Sequence, residues 1–208
     1  MSAQEDTFIS HLVELRDRLL RAVVAIAVAF VCLMPWAGEI YDILAHPMMQ
    51  ALPEGTRMIA TGVVTPFFVP MKVTLLVAFV VALPFVLYQA WCFIAPGLYA
   101  HEKRLGLPLV IGSTILFLAG MAFCYFFVFG TVFKFIAQFA PKSITPAPDI
   151  EQYLAFVMSM FLAFGITFEV PVFVIVLVKL GVVDVPKLKE ARPYVIVGAF
   201  IVAAVVTP

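Results

Sequence analysis

Long uninterrupted runs of apolar residues constrain this chain more than any other sequence feature. The sequence of 208 residues contains five such runs, and the charged residues, 12% of the total, lie mostly between them. A helix needs roughly 20 apolar residues to cross the hydrocarbon core of a bilayer. Because 64% of the residues are apolar, a water-soluble fold would have too little polar surface to cover them. The sequence therefore predicts an all-α membrane protein that crosses the bilayer several times.

The apolar runs also predict the domain organisation. We expect residues 1–208 to form a single membrane domain. The sequence shows no internal repeat, which weakens the case for an inverted-repeat transporter. The first four runs are long enough to span a bilayer, whereas the fifth is short. The predicted spans lie at 19–36, 73–94, 105–133, 153–178 and 194–206. We expect the first span to remain in the mature protein, because the acidic N-terminus does not resemble a cleaved signal peptide. We also expect the natural protein to continue beyond Pro208.

Lysine and arginine are distributed unevenly between the two sides that these spans define. Of the 13 lysine and arginine residues, nine flank one side. They are Arg16, Arg18, Arg21, Lys103, Arg104, Lys179, Lys187, Lys189 and Arg192. Cytoplasmic flanks of membrane proteins carry the excess of these residues, so the N-terminus is predicted to be cytoplasmic. The formal net charge is zero, and the chain therefore has no general attraction for nucleic acid.

Residues 6–18 precede the first span and have an amphipathic pattern of their own. Phe8, Leu12 and Leu15 recur at helical spacing, whereas Glu14 and Arg18 occupy another face. This pattern predicts an interfacial amphipathic helix that lies along the cytoplasmic membrane surface, with its polar face exposed.

Two long connections, 37–66 and 136–152, lie on the predicted outer side. Each contains three prolines, which fix φ and remove a hydrogen-bond donor. We therefore expect both to be stiff and irregular. They are either a rigid cap on the outer face or simple connectors.

Glu169 is the most unusual residue, because it lies inside the fourth apolar run. It follows Tyr153 by 16 residues, or about 24 Å along a helix. A carboxylate at this depth costs several kcal/mol (roughly 2.5–3.5) unless it is paired, protonated or facing water. Pro171 follows closely and frees a backbone carbonyl one turn earlier. The two residues predict a polar notch in an apolar helix. The notch either has a functional role or serves only the packing between helices.

Glu14 and Glu102 form a second candidate site at the predicted cytoplasmic surface. Each lies next to basic residues. One interpretation is local ion pairing on a solvated surface, which contributes little stability. The other is that two carboxylates on one side of the membrane accept guanidinium groups in bidentate pairs.

The chain contains no nucleophile motif, phosphate-binding loop or metal-ligand spacing, so we expect neither an enzyme nor a cofactor. The residues alone leave three functions open. They are a receptor that binds guanidinium groups through Glu14 and Glu102, a small proton-coupled membrane transporter that uses Glu169, and a structural scaffold. A transporter would favour several intramembrane charges around a cavity, and Glu169 is the one clear case here.

The sequence closely resembles the TatC family, the core subunit of the twin-arginine protein translocase. The resemblance extends over essentially the whole chain. The stretches that carry it are 11–19, 93–99 with 102–104, 156–165, 168–172 and 192–194. It implies a concave fold of six helices, of which the sixth is missing from this sequence. Gly62 departs from the family pattern, since an acidic residue is expected there.

The resemblance also implies a function. Family members bind twin-arginine signal peptides and help to export folded proteins across the bacterial inner membrane, using the proton-motive force. Their partners are the TatA and TatB subunits, and they are expected to form a homo-oligomer within that complex. The implied signal-peptide site consists of Glu14, Glu102, Arg16 and Phe93. Glu169 and Pro171 are expected in a groove for partner helices, and Pro47 and Phe67 on the outer face.

Overall fold

The computed structural model describes residues 3–52, 57–94, 103–139, 147–179, 181 and 183–206. These residues form α-helices and contain no β-strand, which confirms the predicted all-α fold. The helices are α1 (Ala3–Leu33), α2 (Ala37–Ala51), α3 (Thr65–Ile94), α4 (Lys103–Phe123), α5 (Phe129–Phe139), α6 (Ile150–Lys179) and α7 (Val185–Val206). A 3-10 turn, Met34–Trp36, connects α1 with α2, and a π-helical turn, Cys124–Val128, connects α4 with α5.

Within the part of the chain that the structure describes, four helical segments are long and apolar enough to cross a membrane, which confirms a multi-pass protein. They are Ile9–Gln50, Thr65–Ile94, Gly106–Phe139 and Ile150–Lys179. Three of them contain a predicted span in full, and Gly106–Phe139 covers all but the first residue of the span 105–133. The fifth predicted span, 194–206, lies in α7 and overlaps a shorter apolar segment, Arg192–Ile201. The borders of the spans within a bilayer stay predictions.

Helix α1 packs along α3 and leaves its apolar face uncovered. Leu19 is 61% exposed and Val31 69% exposed. An apolar surface of this extent is typical of contact with lipid. The predicted helix 6–18 is the first part of α1, which runs without a break into the first span. Glu14 and Arg18 on its polar face are partly buried, with side chains 39% and 23% exposed. The position of this segment at the membrane surface stays a prediction.

Helices α4 and α6 pack closely because each has a glycine at the surface where the two helices meet. An added Cβ at Gly120 would lie 2.6 Å from the carbonyl oxygen of Phe164. One at Gly165 would lie 2.5 Å from the ring of Phe117. Small residues permit this approach of helices in a membrane, where packing drives association. The two contacts also show that α4 and α6 run antiparallel, since Gly120 follows Phe117 whereas Phe164 precedes Gly165.

Helix α2 folds over the other helices at the end of the bundle where α3 and α6 begin, which we call the distal end. The hydroxyl of Tyr153 donates to the carbonyl oxygen of Leu44 at 2.8 Å, and that of Tyr125 donates to Ile43 at 2.9 Å. The prediction of an irregular connection is therefore wrong for 37–51. Its apolar residues recur at helical spacing and pack on the core, and this packing outweighs the helix-breaking effect of Pro47.

The two long connections meet at the distal end. The N–H of Ile59 donates to Pro148 at 2.9 Å, and the N–H of Ile150 donates to Ile59 at 2.9 Å. This pairing forms an isolated parallel bridge between Ile59 and Asp149. Backbone pairing of this kind joins the described parts of the two connections into a cap. Its position on the outer face stays a prediction.

The side chain of Asp149 holds this cap together. One carboxylate oxygen accepts the hydroxyl of Thr61 at 2.7 Å and its N–H at 3.1 Å. The other accepts the N–H groups of Glu151 and Gln152 at the start of α6, at 2.9 and 3.1 Å. The Thr61 hydroxyl, with these backbone donors, holds the pKa of Asp149 below its ordinary value. An ion pair of 2.8 Å between Lys72 and Glu151 joins α3 to α6 nearby.

Candidate functional site

Glu14 lies at the opposite end of the bundle from the cap, where α1 begins and α3 ends. We call this the amino-terminal end. The Nε and Nη2 atoms of Arg18, one turn later on α1, lie 2.9 and 2.6 Å from Oε1 of Glu14. The Nη1 atom of Arg18 lies 3.5 Å from Oε1 of Gln89 on α3. Gln89 is buried. Arg18 therefore connects the carboxylate of α1 to an amide of α3.

Phe93 belongs to the same cluster, through His11. The rings of His11 and Phe93 stack with centroids 4.3 Å apart and an interplanar angle of 15°. The Nδ1 atom of His11 also lies 4.0 Å from Oε2 of Glu14. The structure thus brings together Glu14 and Phe93, two of the residues predicted for one site. Helical spacing explains which residues α1 contributes to the cluster, because His11, Glu14 and Arg18 lie on one face of that helix.

Two other predicted members of this site have different positions. Arg16 makes hydrogen bonds of 3.0 and 2.8 Å with Asp17, and its side chain is 67% exposed. Arg16 therefore interacts with its neighbour in the chain and not with Glu14. Glu102 lies outside the described residues. The pairing of Glu102 with Glu14 stays a prediction.

Glu169 faces α4, and the glycine contacts explain why. Phe117 lies against Gly165. Ser113 is one turn before Phe117 on α4, and Glu169 is one turn after Gly165 on α6. Because the two helices are antiparallel, Ser113 and Glu169 lie at the same level. The fully buried hydroxyl oxygen of Ser113 accepts the indole N–H of Trp91 on α3 at 2.9 Å. Trp91, Ser113 and Glu169 thus form a line of polar groups across three helices.

The Glu169 carboxyl is buried without a hydrogen bond. Neither of its oxygens has a hydrogen-bond partner among the described residues. The hydroxyl of Ser113 is close enough to interact with the carboxyl, but it does not meet hydrogen-bond geometry with either oxygen. Leaving such an acceptor unpaired costs about 1–3 kcal/mol. A hydrogen-bond donor that reached the carboxyl would therefore remove this cost.

Pro171 lies inside α6 but on a different face from Glu169. At 100° per residue the two side chains point about 200° apart, and Pro171 is exposed. Its ring removes the backbone donor that would pair with the carbonyl of Thr167. The hydroxyl of Thr167 donates in turn to Ala163 at 2.6 Å. The polar notch predicted from sequence therefore extends over two faces of α6.

Pro47 and Phe67 both lie at the distal end, on separate helices. Pro47 is inside α2 and lines a cleft of about 560 Å³. The other residues that line it are His46, Gln50, Tyr125, Phe126, Gly130 and Lys134. Phe67, in the first turn of α3, is 63% exposed and packs edge-on against Phe68 at 5.4 Å. The described residues contain no group of three His, Cys, Asp or Glu side chains that could hold a metal ion.

Comparison with known proteins identifies the family. The model of the Sec-independent protein translocase protein family (TatC) matches residues 10–208. The chain belongs to the TatC family. It is 48% identical over 206 residues to TatC of Escherichia coli (strain K12), covering 98% of this chain and 80% of that protein. It is 50% identical over 207 residues to TatC of Azotobacter chroococcum mcd 1, covering 100% and 81%.

A solved structure confirms the TatC-like fold. A crystal structure of the twin-arginine translocase receptor TatC in DDM matches with a TM-score of 0.84 and 38% identity. The match covers 95% of this chain and 88% of that one. Proteins of the TatC family are components of a protein translocase, and the family is not a family of enzymes. The chain is therefore a membrane component of twin-arginine translocation.

Sequence reasoning missed the partners of the two acidic residues in this TatC-family chain. The sequence places Glu14 beside basic residues but does not indicate Gln89 as a further member of the cluster. It does not indicate Ser113 and Trp91 as neighbours of Glu169. A signal existed for Gln89, because an amide within an apolar span is costly unless it has a partner. The spacing of Glu14 and Arg18, four residues apart, also favours an ion pair on one helix face.

Proposed function

We propose that this chain is the core receptor subunit of its translocase and that the cluster around Glu14 binds twin-arginine signal peptides. The observation that carries the proposal is the half-buried carboxylate of Glu14 beside the stacked rings of His11 and Phe93. A carboxylate accepts a guanidinium group in a bidentate pair, and aromatic faces stack on guanidinium planes. The site thus offers both kinds of contact that arginine recognition uses.

Glu102 and Arg16 complete this proposed site. Glu102 supplies the carboxylate for the second guanidinium group, since a ligand with two arginines needs two acceptors. Arg16 supports the site through α1. The site faces the cytoplasm, with the N-terminus on the same side, because nine of the 13 lysine and arginine residues flank that side.

Glu169 is proposed to be the contact for the transmembrane helices of TatA and TatB. Support comes from its two unpaired oxygens, which would gain a hydrogen bond from a polar group on an approaching helix. Pro171, whose side chain lies on a different face of α6, is proposed to form another part of this groove. Exposed apolar residues of α6, such as Val170 and Phe173, provide the surrounding packing surface.

The rest of the proposal concerns the assembly in the membrane. The chain resides in the bacterial inner membrane, forms a homo-oligomer within the complex, and exports folded proteins using the proton-motive force. Pro47 and Phe67 stabilise the outer face, where α2 and the start of α3 lie. Membership of a protein translocase family decides against the solute transporter considered from sequence.

Peptide binding to the purified chain in lipid nanodiscs tests the receptor role. We expect Glu14→Gln to weaken binding of a fluorescent twin-arginine peptide at least tenfold, because it removes a charged acceptor worth about 1.5–3 kcal/mol. Glu39→Gln is the matched control, since Glu39 is an exposed carboxylate on α2. Equal binding by the Glu14 and Glu39 variants would refute the assignment.

A further inference from the structure

The acceptor atoms of Glu14 are unequally occupied. Two nitrogens of Arg18 bind the same oxygen, Oε1, at 2.9 and 2.6 Å. The other oxygen, Oε2, lies 4.0 Å from Nδ1 of His11. A guanidinium ligand binds a carboxylate most strongly through two parallel hydrogen bonds, one to each oxygen. Arg18 therefore occupies one of the two oxygens that such a ligand needs.

A second acceptor for Arg18 is already within reach. Oε1 of Gln89 lies 3.5 Å from Nη1 of Arg18, at the long limit of a hydrogen bond. Gln89 is only 5% exposed, so its amide oxygen has little access to water. A small movement of the Arg18 side chain toward α3 would shorten this bond and free Oε1 of Glu14.

We infer that Arg18 is an internal competitor for the carboxylate of Glu14 and thereby determines the specificity of the proposed site. This inference rests on the proposed function of Glu14. An incoming guanidinium group displaces Arg18 toward Gln89 and takes both oxygens of Glu14. A lysine ammonium group is a point charge without the planar fork of arginine. The single contact of an ammonium group with Glu14 does not compensate for the lost ion pair between Arg18 and Glu14. Competition by Arg18 therefore weakens the binding of lysine more than the binding of arginine.

Removal of the competitor gives the first test. The purified chain in nanodiscs is titrated with two fluorescent peptides that differ only in a pair of arginines or a pair of lysines. We expect Arg18→Gln to bind the arginine peptide about fivefold more tightly, equivalent to about 1 kcal/mol. That is the upper end of the range for a partly exposed ion pair. The lysine peptide should gain more, about tenfold, so that discrimination between the peptides falls about twofold.

Arg21→Gln provides the matched control. It removes the same charge from the same helix three residues later, at an exposed position. It should change neither the affinity ratio nor the order of the two peptides. Arg18→Lys retains the charge but loses the fork, and it should show a smaller gain of about twofold for the arginine peptide. Gel filtration and thermal unfolding establish that each variant is folded.

Gln89 provides an independent test through a double-mutant cycle. Gln89→Met removes the alternative acceptor, so Arg18 remains on Glu14 and the arginine peptide should bind about threefold more weakly. In the Arg18→Gln background the same replacement should leave the affinity unchanged, because no competitor remains. Equal effects of Gln89→Met in both backgrounds would contradict the exchange between acceptors.

The variants of Glu14 and Arg18 distinguish failure of this inference from failure of the proposed function. If both Glu14→Gln and Arg18→Gln weaken binding of the arginine peptide, Glu14 is a receptor residue and Arg18 only positions it. The inference is then wrong and the proposed function stands. If Glu14→Gln leaves binding unchanged, both are wrong. Tighter binding by Arg18→Gln, together with weaker binding by Glu14→Gln, supports both.

Discussion

Replacement of Gly120 by alanine places a methyl group directly against the backbone of α6. The new Cβ would lie 2.6 Å from the carbonyl oxygen of Phe164, 3.0 Å from its carbonyl carbon and 3.1 Å from Cβ of Phe168. An ordinary contact between carbon and oxygen is about 3.3 Å or longer, so the helices must separate by about 0.7 Å. A side chain could rotate away, but a helix backbone cannot.

The expected cost follows from two opposing terms. Overpacking of a well-packed site costs about 1–3 kcal/mol. Alanine gains about 0.5–1 kcal/mol over glycine within a helix, because it restricts the unfolded chain. The two ranges combine to a loss of roughly 0–2.5 kcal/mol, and we expect Gly120→Ala to lower the free energy of unfolding by about 1 kcal/mol, near the middle of that range. The separation should also disturb the Ser113 and Glu169 pair, which depends on the same helix packing.

Gly112 supplies the matched control on the same helix. An added Cβ there has nothing within 4 Å, so Gly112→Ala should retain or slightly raise the free energy of unfolding. The assay is reversible denaturation of the purified chain in mixed micelles, followed by circular dichroism. If Gly120→Ala and Gly112→Ala agree within about 0.5 kcal/mol, the close α4–α6 contact does not exist as described.

Two further predictions concern the carboxylates of Glu169 and Asp149. Glu169→Ala should weaken co-purification with TatA and TatB while twin-arginine peptide binding survives, and unchanged co-purification would count against the groove. The lowered pKa of Asp149 means that its charged form is stabilised by folding, chiefly by the Thr61 hydroxyl. This stability is present above the ordinary pKa of 3.8 and is lost as pH falls through the lowered folded value. Asp149→Asn should remove that part of the pH dependence, measured as unfolding midpoints between pH 2 and 6, roughly the range in which such groups titrate. An unchanged profile would show that the cap bonds do not depend on the charge.

The position of Glu169 illustrates how far the sequence could predict the site. Its presence within an apolar run identified it, because a carboxylate in hydrocarbon is costly whatever surrounds it. Its relation to Trp91 and Ser113 could not be predicted in the same way. That relation depends on Gly120 and Gly165, which permit α4 and α6 to approach closely enough to set their register.

The connection that contains Pro47 is a case in which the prediction from sequence was wrong. Proline content predicted an irregular loop, but 37–51 is helical because its apolar residues pack on the core. Local propensity is a weak guide wherever tertiary packing supplies more free energy.

The sequence alone determined that this chain is a helical membrane protein, where its apolar runs lie, and which acidic residues are exceptional. Those properties follow from the transfer of side chains between water and hydrocarbon, which depends on residue type and order. Only the tertiary structure decided that Glu14 is held by Arg18, that Gln89 offers Arg18 a second acceptor, and that Glu169 faces Ser113. Helical periodicity places a residue on a face, but the partner on that face is chosen by how neighbouring helices pack.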